Sequence, residues 1–227
     1  MPDILDLVCF DLPCLVVPGP GTAEEALDRA LRRVDVEPGS ELHTHISSLG
    51  LRWPGAHAAA ALRQALGSPG WAQAAAAAFD NAFGAAAARR GVAVADGAAA
   101  CVAQLRGLDV RICLTTEFSA ITREAILDVL DWPGLVAMLL SPGPCGHGTE
   151  IVLRAAIDRA GVDVQHAAVV SAAPSSIAAA LRAGVSEIVG VPSDGASTRD
   201  LRLAGATRIR SLPQLAGEFA AQRLIPA

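Results

Sequence analysis

Residues 9–17 read CFDLPCLVV, and the fold turns on how they are taken. Leu7–Phe10 is a short apolar run that delivers an acid, Asp11, and then stops at Pro13. A continuous apolar run of this length, bounded by chain-breaking residues, reads as a strand buried on both faces of a parallel sheet. Four more such runs follow, at Val110–Leu114, Leu135–Leu140, Ala167–Val170 and Glu187–Val191. Helical patterns lie between and after them, at Ala98–Arg106, Ala120–Leu130, Glu150–Ala160, Ser175–Ala183 and Thr198–Ala204. Strands alternating with helices of about ten residues predict βαβ units and an α/β fold around a parallel sheet.

The stretch 19–95 interrupts that alternation with three helical segments and no convincing strand. Thr22 followed by Glu25 is a capping-box pattern opening a helix to about Val34, and Ala56–Leu66 and the Ala-rich Trp71–Arg90 supply two more. The expected organisation is a Rossmann-like core from 1–18 and 96–227, with 19–95 inserted after the first strand as a helical cap. Ligands in open α/β sheets bind beyond the carboxyl ends of the strands. The segments that follow the five strands, 11–15, 115–119, 141–149, 171–176 and 192–197, are therefore where a site is expected.

Composition removes several classes of function. The 227 residues carry a net charge of −5 without a basic cluster, so nucleic acid is not an expected partner. There is no apolar run long enough to span a bilayer, and the acidic start MPDILDLVCFDL lacks a basic region followed by a cleavage site, so a cytoplasmic location and no membrane association are expected. The five cysteines are odd in number and form no C-x-x-C pair, which supports neither a disulfide framework nor a zinc site. All 18 basic residues are Arg, so no lysine amine exists for Schiff-base chemistry, and the absence of Tyr removes the phenol as an acid, base or nucleophile.

The order of parts resembles the haloacid dehalogenase superfamily over nearly the whole chain, and within it the branch similar to phosphonoacetaldehyde hydrolase. The resemblance is carried by CFDLPCLVV, the inserted helices, RICLTTEFSAITREAILDVL, IVLRAAIDRAGV, AAVVSAAPSSIAAALRAG and the tail EIVGVPSDGASTRDLRLAGATRIRSLPQL. It implies a HAD-like Rossmann-type core with a cap, and a chemistry of an Asp nucleophile, a second Asp, a lysine or arginine counter-charge and magnesium. Asp11 fits the first position, but Pro13 and Leu15 stand where the second Asp and the Thr belong. Thr116 keeps a hydroxyl, followed by Glu117 where a small residue is usual. The segment SPGPCGHGTE offers only His147 in place of the basic residue, Ala172 and Ser176 occupy the acidic magnesium positions, and Ser47 falls near the cap lysine of the resembled branch. The machinery of magnesium-dependent phosphoryl transfer and of imine formation is thus lost, and neither a metal nor another cofactor is expected.

Several titratable and hydroxyl groups remain. Asp11 reads either as a cap for backbone N–H groups or as a nucleophile or general base. Glu117 and His147 are candidate acid/base partners, and Thr116 and Ser171 candidate hydrogen-bond donors to a substrate. Cys14 reads either as a small apolar residue or as a thiolate activated by His147. His43 and His45 share a face if their stretch is strand-like, and His45 and Ser47 are candidate substrate contacts from the cap. The leading expectation is a metal-independent enzyme acting on a small organic molecule between cap and core. The alternative is a non-catalytic relative that binds a metabolite or a protein partner. Residual phosphatase and 2-haloacid dehalogenase activities are lesser alternatives, and a homodimer is possible by resemblance.

Overall fold

The computed structural model describes residues 5–54, 56–130, 138–140, 148–193 and 196–222. In chain order the strands are β1 (Leu7–Asp11), β2 (Val16–Pro18), β3 (Val92–Val94), β4 (Arg111–Thr115), β5 (Met138–Leu140), β6 (Ala167–Ser171), β7 (Glu187–Gly190) and β8 (Arg208–Ile209). The first six helices are α1 (Leu12–Leu15), α2 (Thr22–Arg33), α3 (Glu41–Ser48), α4 (Ala56–Leu66), α5 (Pro69–Arg90) and α6 (Ala98–Gly107). The remaining five are α7 (Ala120–Leu130), α8 (Thr149–Ala160), α9 (Pro174–Ala183), α10 (Thr198–Leu203) and α11 (Leu212–Gln222). These elements fall into two compact units. One comprises Met1–Val17, Val94–Thr116 and Trp132–Ala227, the other Pro18–Ala93 and Glu117–Asp131.

The first unit is built on a six-stranded sheet of order β5-β4-β1-β6-β7-β8, every pair parallel. β1 lies inside it, with Cys9 opposite Cys113 of β4 and Val169 of β6. All five β1 residues are buried, which is why this strand is apolar without alternation. On one face Leu7, Cys9, Cys113, Val169 and Ile188 pack with Leu153 of α8, Ile177 of α9 and Leu201 of α10. Alternation of side chains puts Val8, Phe10, Ile112 and Leu114 on the opposite face, and all four are buried. Fold class is as expected from the sequence: α/β, with a parallel sheet.

Three strands were not expected. β8 is a two-residue edge strand whose arginine obscures any apolar signal. β2 and β3 pair in a ribbon of their own where the chain passes between the two units, so the stretch 19–95 is not free of strand. At the sheet edge Arg208 donates to Glu187 Oε1 at 3.1 Å and also to Glu218, while Arg210 Nε donates to Glu218 Oε1 at 2.5 Å. Burial pushes the Glu218 carboxyl up, but the Arg210 hydrogen bond and the Arg208 charge outweigh it and hold the group below the usual glutamate range. A depressed folded value means the contribution is complete above the unfolded value of about 4.3 and is lost as pH falls through the folded one. Glu218→Gln is therefore expected to lower the melting temperature by about 2 °C at pH 7, since a part-exposed pair contributes under about 1 kcal/mol. The gap from the wild type should close on titration below about pH 4, and a gap that persists in acid would sink this assignment.

The second unit is helical. Ser40 caps α3 by accepting from His43 N at 3.1 Å, and Ser68 caps α5 by accepting from Trp71 N, with Pro69 in the first turn. The capping box expected at α2 does not form. Gly21, with φ 74°, is its N-cap and Thr22 is the first helical residue, with a buried hydroxyl that has no hydrogen-bond partner. Glu25 instead meets Arg29 at 2.9 Å, Arg90 at 2.8 Å and Arg89. The stretch 41–48 is a helix rather than strand-like, so the condition for a shared face is not met: His43 and His45 are two residues apart on a helix.

Glu117–Asp131 groups with this unit rather than with the core where the sequence order placed it. The physical reason is a close helix crossing. Gly84 of α5 presents no side chain to α7, and a Cβ there would sit 3.0 Å from Thr122 Cα. Phe118 stacks on Trp53 at 5.6 Å between ring centroids and lies 6.3 Å from Phe83, closing an aromatic cluster.

Candidate functional site

Asp11 ends β1, where the parallel sheet delivers it in register with Thr115. It is 5% exposed. It occupies the N-cap position of α1 in extended backbone conformation, yet its side chain makes no cap hydrogen bond to that helix. Its carboxylate is engaged elsewhere. Ser171 Oγ, at the end of β6, donates to Asp11 Oδ2 at 2.9 Å, and Ser176 Oγ, in the first turn of α9, donates to the same oxygen at 3.3 Å. Ser171 is itself fixed, because Ala173 N donates to its Oγ at 2.9 Å. Both serines are buried, at 0% and 4% exposure. Hydroxyl donors and the positive end of α9 together suit an ionised carboxylate taken out of water.

Among the residues named from the sequence, the structure joins Asp11 and Ser171 directly. Ser176, read from the sequence only as a lost metal ligand, joins them as well. No sequence signal reveals its role, because the direction of one hydroxyl is decided by how α9 packs. Thr116 is buried after β4, and the Thr115 hydroxyl before it donates to Phe10 O at 3.3 Å.

Cys14 is 5% exposed, and its thiol points to Val170 O at 3.6 Å. Burial pushes that thiol well above its ordinary value, and the nearby Asp11 and Cys101 push it further. Burial of this kind favours, of the two readings of Cys14, the small apolar residue; its proposed partner His147 lies outside the described residues.

The other named residues belong to the second unit or lie outside the described residues. Glu117 is half-buried in the second unit. His45 and Ser47 are exposed on α3, and the His45 carbonyl accepts from Ser48 Oγ at 2.6 Å. His43 is tied to Asp28 Oδ1 at 2.9 Å. His147, Cys145 and the side chain of His57 lie outside the described residues.

The resemblance implies magnesium beside Asp11, and the donor set there does not fit it. Magnesium demands near-octahedral hard oxygen with carboxylate support. Asp11 contributes one carboxylate, and the side chains that donate to its Oδ2 are two neutral hydroxyls. Among the described residues no group of three or more His, Cys, Asp or Glu is assembled that could hold a metal ion.

No family model matches the chain, and no curated protein matches it in sequence. Solved structures do match in fold. A predicted phosphatase from Clostridium acetobutylicum superposes with a TM-score of 0.77 at 17% identity, covering 96% of this chain and 99% of its own. A haloacid dehalogenase-like family hydrolase from Streptococcus pneumoniae gives 0.78 at 13% identity, covering 96% and 100%. A HAD family hydrolase from Deinococcus radiodurans, solved with bound phosphate and sodium, gives 0.66 at 22% identity, covering 98% and 99%. The fold is that of haloacid dehalogenase-like hydrolases: a Rossmann-like core carrying a helical insertion. Among the described residues no helix is long and apolar enough to cross a membrane.

Proposed function

We propose that the protein is a metal-independent enzyme on this hydrolase fold, turning over a small organic molecule with Asp11 as general base or nucleophile. The observation that supports it is the buried carboxylate with two serine hydroxyls on one oxygen. A buried ionised group is expensive, and a strand end that served packing alone would be filled more cheaply by an apolar residue. As a base, Asp11 takes a proton from the substrate, becomes the carboxylic acid and returns the proton at the end of the cycle. As a nucleophile, one carboxylate oxygen bonds to an electrophilic carbon while the leaving group departs with the electron pair. Water then cleaves that ester and regenerates the carboxylate. The phosphatase names of the structural relatives do not carry over, because Pro13, Ala172 and Ser176 provide none of the extra acids that magnesium-dependent transfer needs.

The test is a panel of small esters, hydroxy acids, halogenated acids and phosphate esters, assayed by mass spectrometry with and without a chelator. Turnover that is indifferent to chelation and lost in Asp11→Asn is expected. Magnesium-stimulated release of phosphate, or turnover that survives Asp11→Asn, overturns the reading.

A second reading, a non-catalytic binding protein, is favoured by one observation: Asp11 is only 5% exposed. It would show as ligand-dependent thermal stabilisation with no product from any substrate.

A further inference from the structure

We infer that Ser176 is a positioning residue for Asp11, fixing the rotation of its carboxylate and filling the place on Oδ2 that a cation would need; this rests on the reading of Asp11 as the reactive group. A carboxylate oxygen offers about two lone-pair sites. On Asp11 Oδ2 the two hydroxyl donors come from different elements, Ser171 at 2.9 Å from the end of β6 and Ser176 at 3.3 Å from the first turn of α9. Two donors constrain the last torsion of the carboxylate, which is broad for Asp, more tightly than one. Two donors from separately anchored elements fix its plane, and with it the direction in which Oδ1 is presented. Ser171 is held by the backbone of Ala173. Ser176 is held by the helix that carries it and is 4% exposed, so its proton goes to the carboxylate rather than to water. A divalent cation approaching Oδ2 would have to displace one of these hydroxyls, and among the described residues no group of three or more His, Cys, Asp or Glu is assembled that could hold it. Oδ2 of Asp11 is therefore held by neutral donors rather than by a metal.

Two measurements test this, and they fail separately. The first needs no substrate: thermal unfolding of wild type, Ser176→Ala, Asp11→Ala and the double variant, with and without magnesium. Ser176→Ala is expected to lower the melting temperature by about 3 °C beside Asp11, and by less than about 1 °C when residue 11 is Ala. Magnesium is expected to shift neither wild type nor Ser176→Ala. Equal losses in both backgrounds would mean that the serine only packs, and a magnesium-dependent rise in the wild type would mean that the hydroxyls do not exclude a cation; either result overturns the inference.

The second uses a substrate found in the panel above. A misaimed reactive group should cost roughly tenfold in kcat with KM unchanged. Unchanged kcat in Ser176→Ala alongside dead Asp11→Asn would overturn the positioning role and leave Asp11 as the reactive group. Turnover intact in Asp11→Asn would instead remove the functional reading itself, with the thermal cycle still reporting the contact.

Discussion

Asp11→Asn is expected to lower turnover by at least about 100-fold while leaving the fold in place. The two halves of that expectation come from different parts of the geometry. An amide oxygen accepts hydrogen bonds as a carboxylate oxygen does, so Ser171 and Ser176 keep an acceptor at Oδ. The variant removes the charge and not the shape, and its melting temperature should stay within a few degrees of the wild type. An amide is neither a base at neutral pH nor a useful nucleophile, and loss of a positioned base alone is worth about 10²–10⁴-fold. Steady-state turnover and thermal unfolding on the same preparation check both halves. A large fall in stability with a proportional fall in activity would mean that Asp11 is a structural acid and nothing more.

Gly97→Ala is expected to be among the most damaging small substitutions in the chain, lowering the melting temperature by about 10 °C. Gly97 is the N-cap of α6 with φ 78°, a left-handed conformation that costs an L-residue about 1 kcal/mol or more. The larger part is steric. A Cβ there would lie 2.5 Å from Pro213 N, 2.7 Å from Pro213 Cδ and 2.8 Å from Leu212 C, which are backbone and ring atoms at the start of α11. They cannot yield without moving a helix that α6 packs against, and the Cys101 thiol of α6 is already bonded to Leu212 O at 3.0 Å. Overpacking of this kind adds about 1–3 kcal/mol, and each kcal/mol is about 2–4 °C for a chain of this size. Gly39→Ala is the control, with φ 79° and nothing within 4 Å of the added atom. If the two variants melt alike, the close approach to α11 contributes nothing.

The strands at the middle of the sheet were legible because burial on both faces leaves nothing but apolar residues to read. β1, β4, β6 and β7 all fall within a residue or two of their apolar runs. β8 was not legible, since an edge strand opening on Arg208 carries no such run, and a three-residue ribbon such as β2 with β3 is too short to show a period. α3 was missed for a related reason: only Ile46 of Glu41–Ser48 is buried, so no apolar stripe marks it as a helix. The placement of Asp11 was legible, because an apolar run that ends on an acid reads as a strand with that acid at its end. The hydroxyl of Ser176 depends on the packing of α9, and that is a property of tertiary structure alone.

The way the chain shuttles between its two units has a bearing on inheritance. Gly19 N donates to Gly91 O at 3.0 Å, so the long helical segment leaves and returns at one point, the arrangement in which a module is readily gained or exchanged as a block. α7 defeats that simplicity. It is encoded between two core strands, yet it rests on Gly84 within the inserted block. A recombination event that replaced residues 19–91 would strand α7 against an unfamiliar surface. Lineages of this architecture can therefore trade the insert only if the α7 surface is inherited with it or rewritten to match.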